Sequence, residues 1–404
     1  MKILFIHQNF PSQFSCLAPG LAQRGHEVKA LRIGGHDILG VESIVYQTER
    51  SSTLGIHPWV MDFETQVIRG QAVLKKAIEL KGAGYIPDVI VAHHGWGETL
   101  FIKEVWPEVP LGIYCEFYYR AKGGDLDFDP EFFVEDGFSS AMIGLKNMTN
   151  RINFEFADAG ISPTQWQKSS FPQPFRNRIS VIHEGVDTDL FKPNPEVAML
   201  LNGGLELKKG DEVITFVNRN LEPPRGFHSF MRALPKIQSA RSNARILIVG
   251  GGGVSYGAQP PNGETWKTIF LRELDGQLDL SRIHFLGNVS YPIFLALMQL
   301  SMVHVYLTYP FVLSWSCIEA MSAGCAIVGS DTAPVREVIT NNQTGRLVNF
   351  FSHDEISSQV IDLIENKSER ERLGGAARQY AVTNFDRQLV CLPEQISWVE
   401  RKFI

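Results

Sequence analysis

The sequence is short of cysteine. It has five in 404 residues (Cys16, Cys115, Cys317, Cys325 and Cys391), an odd number with no close pairs. That distribution argues against a disulfide framework or a metal finger and for reduced thiols in a cytosol. No uninterrupted apolar stretch reaches the ~18 residues a membrane span requires. The opening MKILFIHQNFP stops being apolar at His7, too soon for a signal-peptide core, and no small-residue cleavage site follows. The expectation is a cytoplasmic protein, with contact at the inner membrane face left open. A strong charge of either sign is also missing. The net charge of −6 gives no general attraction to nucleic acid or anionic lipid. Short repeats, heptad arrays and low-complexity tracts are absent.

What is present is a soluble, core-rich chain with 44% apolar and 20% charged residues, long enough for two domains. KILFIH, HEVKALRI, DVIVAHH, PLGIYCEF and ISVIHEG read as strands, with SCLAPGLAQRG as a helix between the first two. After FKPNPE the pattern restarts with EVITFVNR, the helix HSFMRALPKIQ, ARILIVGGGG, RIHFLGNV, MVHVYLTYP, CAIVGSD and GRLVNF. This alternation predicts two α/β units with parallel sheets, residues 1–190 and 191–385. Ligands of such sheets bind beyond the carboxyl ends of the strands. The segments following the strands are therefore the functional candidates.

The stretch YPFVLSWSCIEAMSAG carries the most chemistry. Ser314, Trp315 and Ser316 occupy a strand-to-helix turn, where unpaired amides suit a diphosphate. Glu319, read as lying in the first helical turn, could accept hydrogen bonds from two ribose hydroxyls or merely complement the helix dipole. VNRNLEPPRG places Arg219 and Arg225 around two prolines, a stiff presentation of guanidinium forks to diphosphate oxygens. The run Gly250–Gly253 has no following helix, so NAD binding is not supported. His93 and His94 could bind an acceptor or simply pack, and Glu98 could equally begin a helix. Glu116, among Phe117, Tyr118 and Tyr119, would have a raised pKa if buried and could polarise an acceptor hydroxyl; the alternative is a pairing with Arg120. DLDFD opens an acidic stretch from Asp125 to Asp136 and reads as a solvated loop, so no metal is expected. Aromatics from Tyr114 to Phe138 could line an acceptor groove, touch lipid or pack.

IHEGVDTDLF, VNRNLEPPRG, IHFLGNV, IEAMSAGCAIVGSD and REVITNNQTGRLV, over roughly residues 180 to 350, resemble the nucleotide-sugar domain of family 4 retaining glycosyltransferases. HQNFP, AHHGWGE and EFYY are similar to a bacterial subgroup of that family. The resemblance implies the GT-B fold, two Rossmann-like domains with parallel sheets facing across a cleft, the C-terminal segment 386–404 returning to brace the first. It implies that Arg219 and Arg225 hold the donor diphosphate, that the amides of Ser314 and Trp315 form the phosphate turn, and that Glu319 is the second acid of E-x7-E. The base would rest near Gly251, Gly252, Asn288 and Val289. The acceptor would enter over the first domain, with Asn9, Gln13, His93 and Tyr118 on its side and His94 and Glu116 near the reaction. Three departures stand out: Phe311 occupies the first acid's place, Glu116 a usual histidine's, and HQNFPSQF lacks paired glycines. The implied reaction is metal-independent transfer with retention from a UDP- or GDP-linked sugar, the donor phosphate taking the acceptor proton. It needs no cofactor and serves a glycan or lipid-linked acceptor. A sugar-nucleotide epimerase and a non-catalytic nucleotide-sugar-binding partner are the alternatives.

Overall fold

A computed structural model describes residues 1–133, 138–201 and 203–403. It divides into two units. The first comprises Met1–Leu126 with the described residues of 134–185 and 388–404; the second comprises Asp127–Phe133 and Val186–Arg387. The division at 185/186 precedes the sequence-read boundary by a few residues, and the 127–133 excursion into the second unit is not foreseen by the alternating pattern.

The first unit is built on strands β1 (Lys2–Ile6), β2 (Glu27–Arg32), β3 (Val41–Val45), β4 (Val89–His93), β5 (Leu111–Tyr114), β6 (Ala159–Ser162) and β7 (Ile179–Val181), all parallel. Their order is β3-β2-β1-β4-β5-β6-β7. Both faces are covered, which is why the strands read as continuous apolar runs. Alternation then sorts the side chains: Leu4 and Ile6 enter one core, Ile3 and Phe5 the other. The Leu392–Glu400 helix lies on the latter face, burying Trp398 and Val399, with Phe403 just beyond its end. Gly112 of β5 is required there, because a Cβ would stand 2.2 Å from the Phe403 ring. Arg24 clamps the same helix through Glu400 at 2.7 Å.

The second unit opens with a small antiparallel pair, β8 (Ala198–Leu200) and β9 (Glu206–Lys208). Its main sheet follows: β10 (Val213–Asn220), β11 (Arg245–Gly251), β12 (Ile283–Gly287), β13 (Val303–Tyr306), β14 (Ala326–Ser330) and β15 (Arg346–Val348). The order is β12-β11-β10-β13-β14-β15, again parallel. Ile214 and Phe216 face one core, Val213 the other. In each sheet the order reverses once, between β1 and β4 and between β10 and β13. Loops leaving neighbouring strands at such a point diverge and leave a crevice.

Candidate functional site

In the second unit the loops after β10 and β13 meet at that crevice. The turn Pro223–Arg225 ends at Gly226, which has φ +71° and begins the Phe227–Ala240 helix. A Cβ on Gly226 would stand 2.3 Å from Leu307 Cβ, so glycine is needed twice over, for its conformation and for contact with the end of β13. This fixes Arg225. Its Nη1 donates to Thr308 Oγ1 at 2.9 Å and to the Val312 carbonyl at 3.0 Å. All its side-chain hydrogen bonds within the described residues use Nη1, which leaves Nε and Nη2 for a ligand. The guanidinium lies 4.8 Å from the Tyr256 ring and 5.8 Å from the Phe311 ring. Those rings meet each other at 5.0 Å. Phe311 is thus part of an aromatic wall that holds a cation by its faces while leaving an edge open.

Tyr256 is delivered by a device that the sequence reading passed over. Glu222, between the two arginines and wholly buried, accepts hydrogen bonds from the amides of Ser255, Tyr256 and Gly257 at 3.1, 3.0 and 2.9 Å. Asn220 Nδ2 adds Ser255 Oγ at 2.7 Å. The loop after β11 is folded around a carboxylate. Gly251 must be glycine because a Cβ would meet Asn220 Oδ1 at 2.6 Å and Asn288 Nδ2 at 3.2 Å. Gly252 and Asn288 border the same turn, and Val289 packs against the core beneath.

The Trp315–Ser322 helix needs two corrections. Two of the three amides expected to cradle phosphate are already paired. Ser314 N donates to Tyr306 Oη at 2.8 Å, and Ser316 N donates to the capping Ser314 Oγ at 3.4 Å. Glu319 lies in the second turn, not the first, so complementing the helix dipole is not its role. It is 7% exposed and accepts from Tyr291 Oη at 2.9 Å. Burial pushes its carboxyl up to about 7, with Tyr291 and Arg387 opposing the rise. Of the expected arginine pair, Arg225 touches the turn before Ser314. Arg219 is exposed at the end of β10, with no side-chain hydrogen bond or ion pair among the described residues.

In the first unit the crevice between β1 and β4 gathers histidines. His7 accepts from Asn9 N at Nδ1 (2.9 Å), and its Nε2 meets Gln13 Oε1 at 2.8 Å. Burial, helped by His93, pushes its pKa down to about 3, so His7 is a neutral brace and Gln13 its partner. His93 stacks on Trp96 at 4.0 Å, accepts from Gly95 N, and places Nε2 3.5 Å from Glu116 Oε2. Glu116 is not buried as the sequence reading required; its side chain is 44% exposed. Its envisaged alternative partner, Arg120, donates instead to the carbonyls of Ser169 and Ser170. His94 is a correction: just past the end of β4 it is buried, bonds Asn150 Oδ1 at 2.6 Å, and burial holds its pKa near 4, all marks of a packed residue. Tyr118 is another, because its ring packs with Phe154 and Phe171 while its hydroxyl accepts from Arg151. Glu98 starts no helix; it is buried and accepts from Tyr46 Oη at 3.0 Å. Beside His93, a cavity of about 540 Å³ is lined by Trp59, Gln66, Arg69, Trp96, Tyr119 and Lys146, among others.

DLDFD is not a solvated loop at its last residue. Asp129 is 2% exposed, accepts from Tyr309 Oη at 2.7 Å and lies 3.1 Å from His228 Nε2, while Glu131 pairs with Arg232 at 2.6 Å. Phe128 packs against Tyr309, Phe350 and Phe351. The segment is an anchor in the second unit. Asp129, Glu131 and His228 are close enough to hold a cation, yet each already faces a protein partner. Glu135 and Asp136, at the far end of the acidic stretch, lie outside the described residues.

Residues 24–191 match the family described as Glycosyl transferase family 4 group, and residues 202–380 match Glycosyl transferases group 1. A GDP-mannose-dependent alpha-(1-6)-phosphatidylinositol monomannoside mannosyltransferase of Mycolicibacterium smegmatis is 24% identical over 57% of this chain and 59% of its own length. A phosphatidyl-myo-inositol mannosyltransferase of the same organism is 30% identical over 49% of this chain and 45% of its own. The chain thus spans about half the length of the curated relatives it matches. HepE of Anabaena, solved with UDP-glucose, superposes with a TM-score of 0.68 at 15% identity over 99% of this chain and 100% of that one. Sucrose-phosphate synthase of Thermosynechococcus elongatus gives 0.74 at 15% identity, over 100% and 98%. These neighbours establish the GT-B fold.

Proposed function

The chain belongs to the family 4 glycosyltransferases, and we propose that it transfers a sugar from a nucleoside diphosphate donor, bound by the second unit, to an acceptor hydroxyl presented by the first. The observation carrying this reading is Arg225: a buried guanidinium gripped by one nitrogen, faced by two rings, with its remaining edge unused. A nucleotide sugar carries its own leaving group, so fixed positive charge where the diphosphate departs supplies much of the catalysis. Arg225 provides charge that is permanently protonated and rigidly aimed. Arg219 adds a second, mobile one. Glu319, buried and bonded to Tyr291, is suited to accept from ribose hydroxyls. On the acceptor side His93 orients Glu116, whose exposed carboxylate can accept from an incoming hydroxyl.

Retention of configuration, with a donor phosphate oxygen taking the acceptor proton, follows the family pattern and needs no metal. One of the relatives named above is GDP-mannose-dependent and HepE was solved with UDP-glucose, so the donor panel to try is UDP- and GDP-linked hexoses. A lipid-linked or glycan acceptor in the cytoplasm, at the inner membrane face, agrees with the relatives' phosphatidylinositol substrates; no helix among the described residues is long and apolar enough to cross a membrane. Both halves match transferase families, which disfavours the epimerase and the non-catalytic partner. The experiment is thermal-shift selection of the donor, then transfer of its labelled sugar in excess chelator. A true donor in large excess stabilises by about 3–4 kcal/mol. Arg219→Ala should lose about 100-fold or more in rate with an unchanged melting temperature, since Arg219 has no internal hydrogen bond or ion pair to lose among the described residues. Strict dependence on divalent metal, or interconversion of the donor without transfer, would overturn the assignment.

A further inference from the structure

A second cavity of the first unit, about 450 Å³, adjoins the larger one and is walled by the loop after β1, the loop after β2, Thr48, Arg50, Ser51 and Ser52, and the Met61–Gly82 helix. Its volume is in the range of small-molecule sites. The composition of the wall is lopsided: it contains two guanidiniums, Arg50 and Arg69, several hydroxyls and amides, and no carboxylate. Arg50 is occupied, donating to Glu64 Oε1 at 2.6 Å and Thr53 Oγ1 at 2.9 Å. Arg69 is half-buried and has no hydrogen bond or ion pair among the described residues, and it faces both cavities. Its neighbour Gly70 fixes the helix, because a Cβ there would stand 2.7 Å from the Gly97 carbonyl. Glu98 is the acid whose field Arg69 feels, but no ion pair joins them, and burial makes that carboxyl harder to ionise. Across the cavity, Gln8 Oε1 is buried with no partner.

A half-buried guanidinium with no ion-pair partner among the described residues gains a charge-assisted partner when an anion binds. The wall's amides and hydroxyls could take the hydroxyl hydrogens of a sugar, but only an anionic group would also meet the charge of Arg69. We propose that this cavity binds an oxyanion of the acceptor, a sugar carboxylate or a phosphate ester, with Arg69 as its ligand and Gln8 Oε1 accepting from an adjacent hydroxyl. Calling the bound molecule an acceptor rests on the proposed function; the anion site itself does not.

The test uses the full chain and three probes: methyl β-D-glucuronide, glucose 1-phosphate and neutral methyl β-D-glucoside, titrated by calorimetry at low and moderate salt. At least one anionic probe should bind more tightly than the glucoside and weaken with salt; the one that does identifies carboxylate or phosphate. Arg69→Gln should weaken that probe by roughly tenfold or more without altering glucoside binding, and Arg69→Lys should recover part of the loss. Equal affinity for charged and neutral probes, or an Arg69→Gln effect within roughly twofold, would overturn the site. Nucleoside diphosphate binding, measured in parallel, should not respond to Arg69→Gln. If no nucleotide binds but the Arg69-dependent anion does, the transferase reading falls and this site stands. If nucleotide binds and Arg69 is indifferent, the reverse holds.

Discussion

Glu222 makes the sharpest energetic prediction. Its carboxylate is the sole side-chain acceptor among the described residues for three consecutive amides, those of Ser255, Tyr256 and Gly257. Glu222→Ala removes it and leaves three donors facing a hole. Hydrogen bonds to a charged acceptor are worth about 1.5–3 kcal/mol each, but a loop opened to water regains solvation for its amides. A net loss of roughly 2–4 kcal/mol follows, which for a unit of this size lowers the melting temperature by about 5–15 °C. Glu222→Gln should be much milder, since its carbonyl oxygen can stand where Oε2 takes all three amides and only the 3.3 Å contact from Ser255 N to Oε1 is lost. The functional consequence comes through Tyr256. Released from the Arg225 face, it should weaken nucleoside diphosphate binding about fivefold to thirtyfold, the value of one desolvated cation–π contact and its ordering, although Glu222 never meets the ligand. The assay is urea unfolding with nucleotide titration on both variants. Wild-type stability in Glu222→Ala, or its destabilisation with unaltered nucleotide affinity, would refute the reasoning.

Glu319 should make the second unit pH-sensitive. Its folded pKa of about 7 exceeds the ordinary carboxylate value, so the folded state binds the proton more tightly than the unfolded chain. Stability from this group is full below about pH 4.5 and is lost as pH rises through 7, by roughly 3 kcal/mol in all. Glu319→Gln should flatten that slope in unfolding curves between pH 5 and 8, and parallel curves would contradict it. Asp129 should act with the opposite sign. Burial alone would raise its pKa, but His228 and Tyr309 outweigh this and hold it low. Its contribution is present above about pH 4 and is lost as pH falls through the depressed value. Asp129→Asn should therefore cost about 1–3 kcal/mol at pH 7 and progressively less as the pH falls through the depressed value, measured by thermal melts of the two proteins into the acid range.

The sheets were legible because parallel strands buried on both faces read as apolar runs: every main-sheet strand of the second unit is visible as such. Two strands of the first unit were not. VESIV at the edge (β3) carries a glutamate and a serine, and AGIS (β6) offers one large apolar side chain, Ile161, among three small residues. At the site, sequence shows residue type and order, so Arg225 beside a helix-starting glycine could be read. It does not show which donors are already satisfied. The Ser314 amide looked available until Tyr306, eight residues upstream across the strand end, proved to accept it. His94 and Tyr118 looked like neighbours of the acceptor because strand ends are exposed on average, whereas Asn150 and Arg151 cover them here. Glu222 had a signal that went unused: an acid placed next to two prolines, between two arginines, is poorly explained as a solvated loop. Arg69 and Tyr256 had none.

Each crevice, set by the same reversal of strand order, manages its titratable groups in its own way. In the first, His7 and His94 are kept neutral by burial. In the second, the cation is a guanidinium, which does not titrate in the working range. In the proposed function the leaving group would rest on that guanidinium and not on a histidine, and Glu319 would meet the ribose and not the phosphate. Phe311 belongs to that arrangement. An acid in its place, 5.8 Å or less from the Arg225 guanidinium, would neutralise much of the charge that the diphosphate has to meet; a ring there restrains the guanidinium and leaves its charge intact.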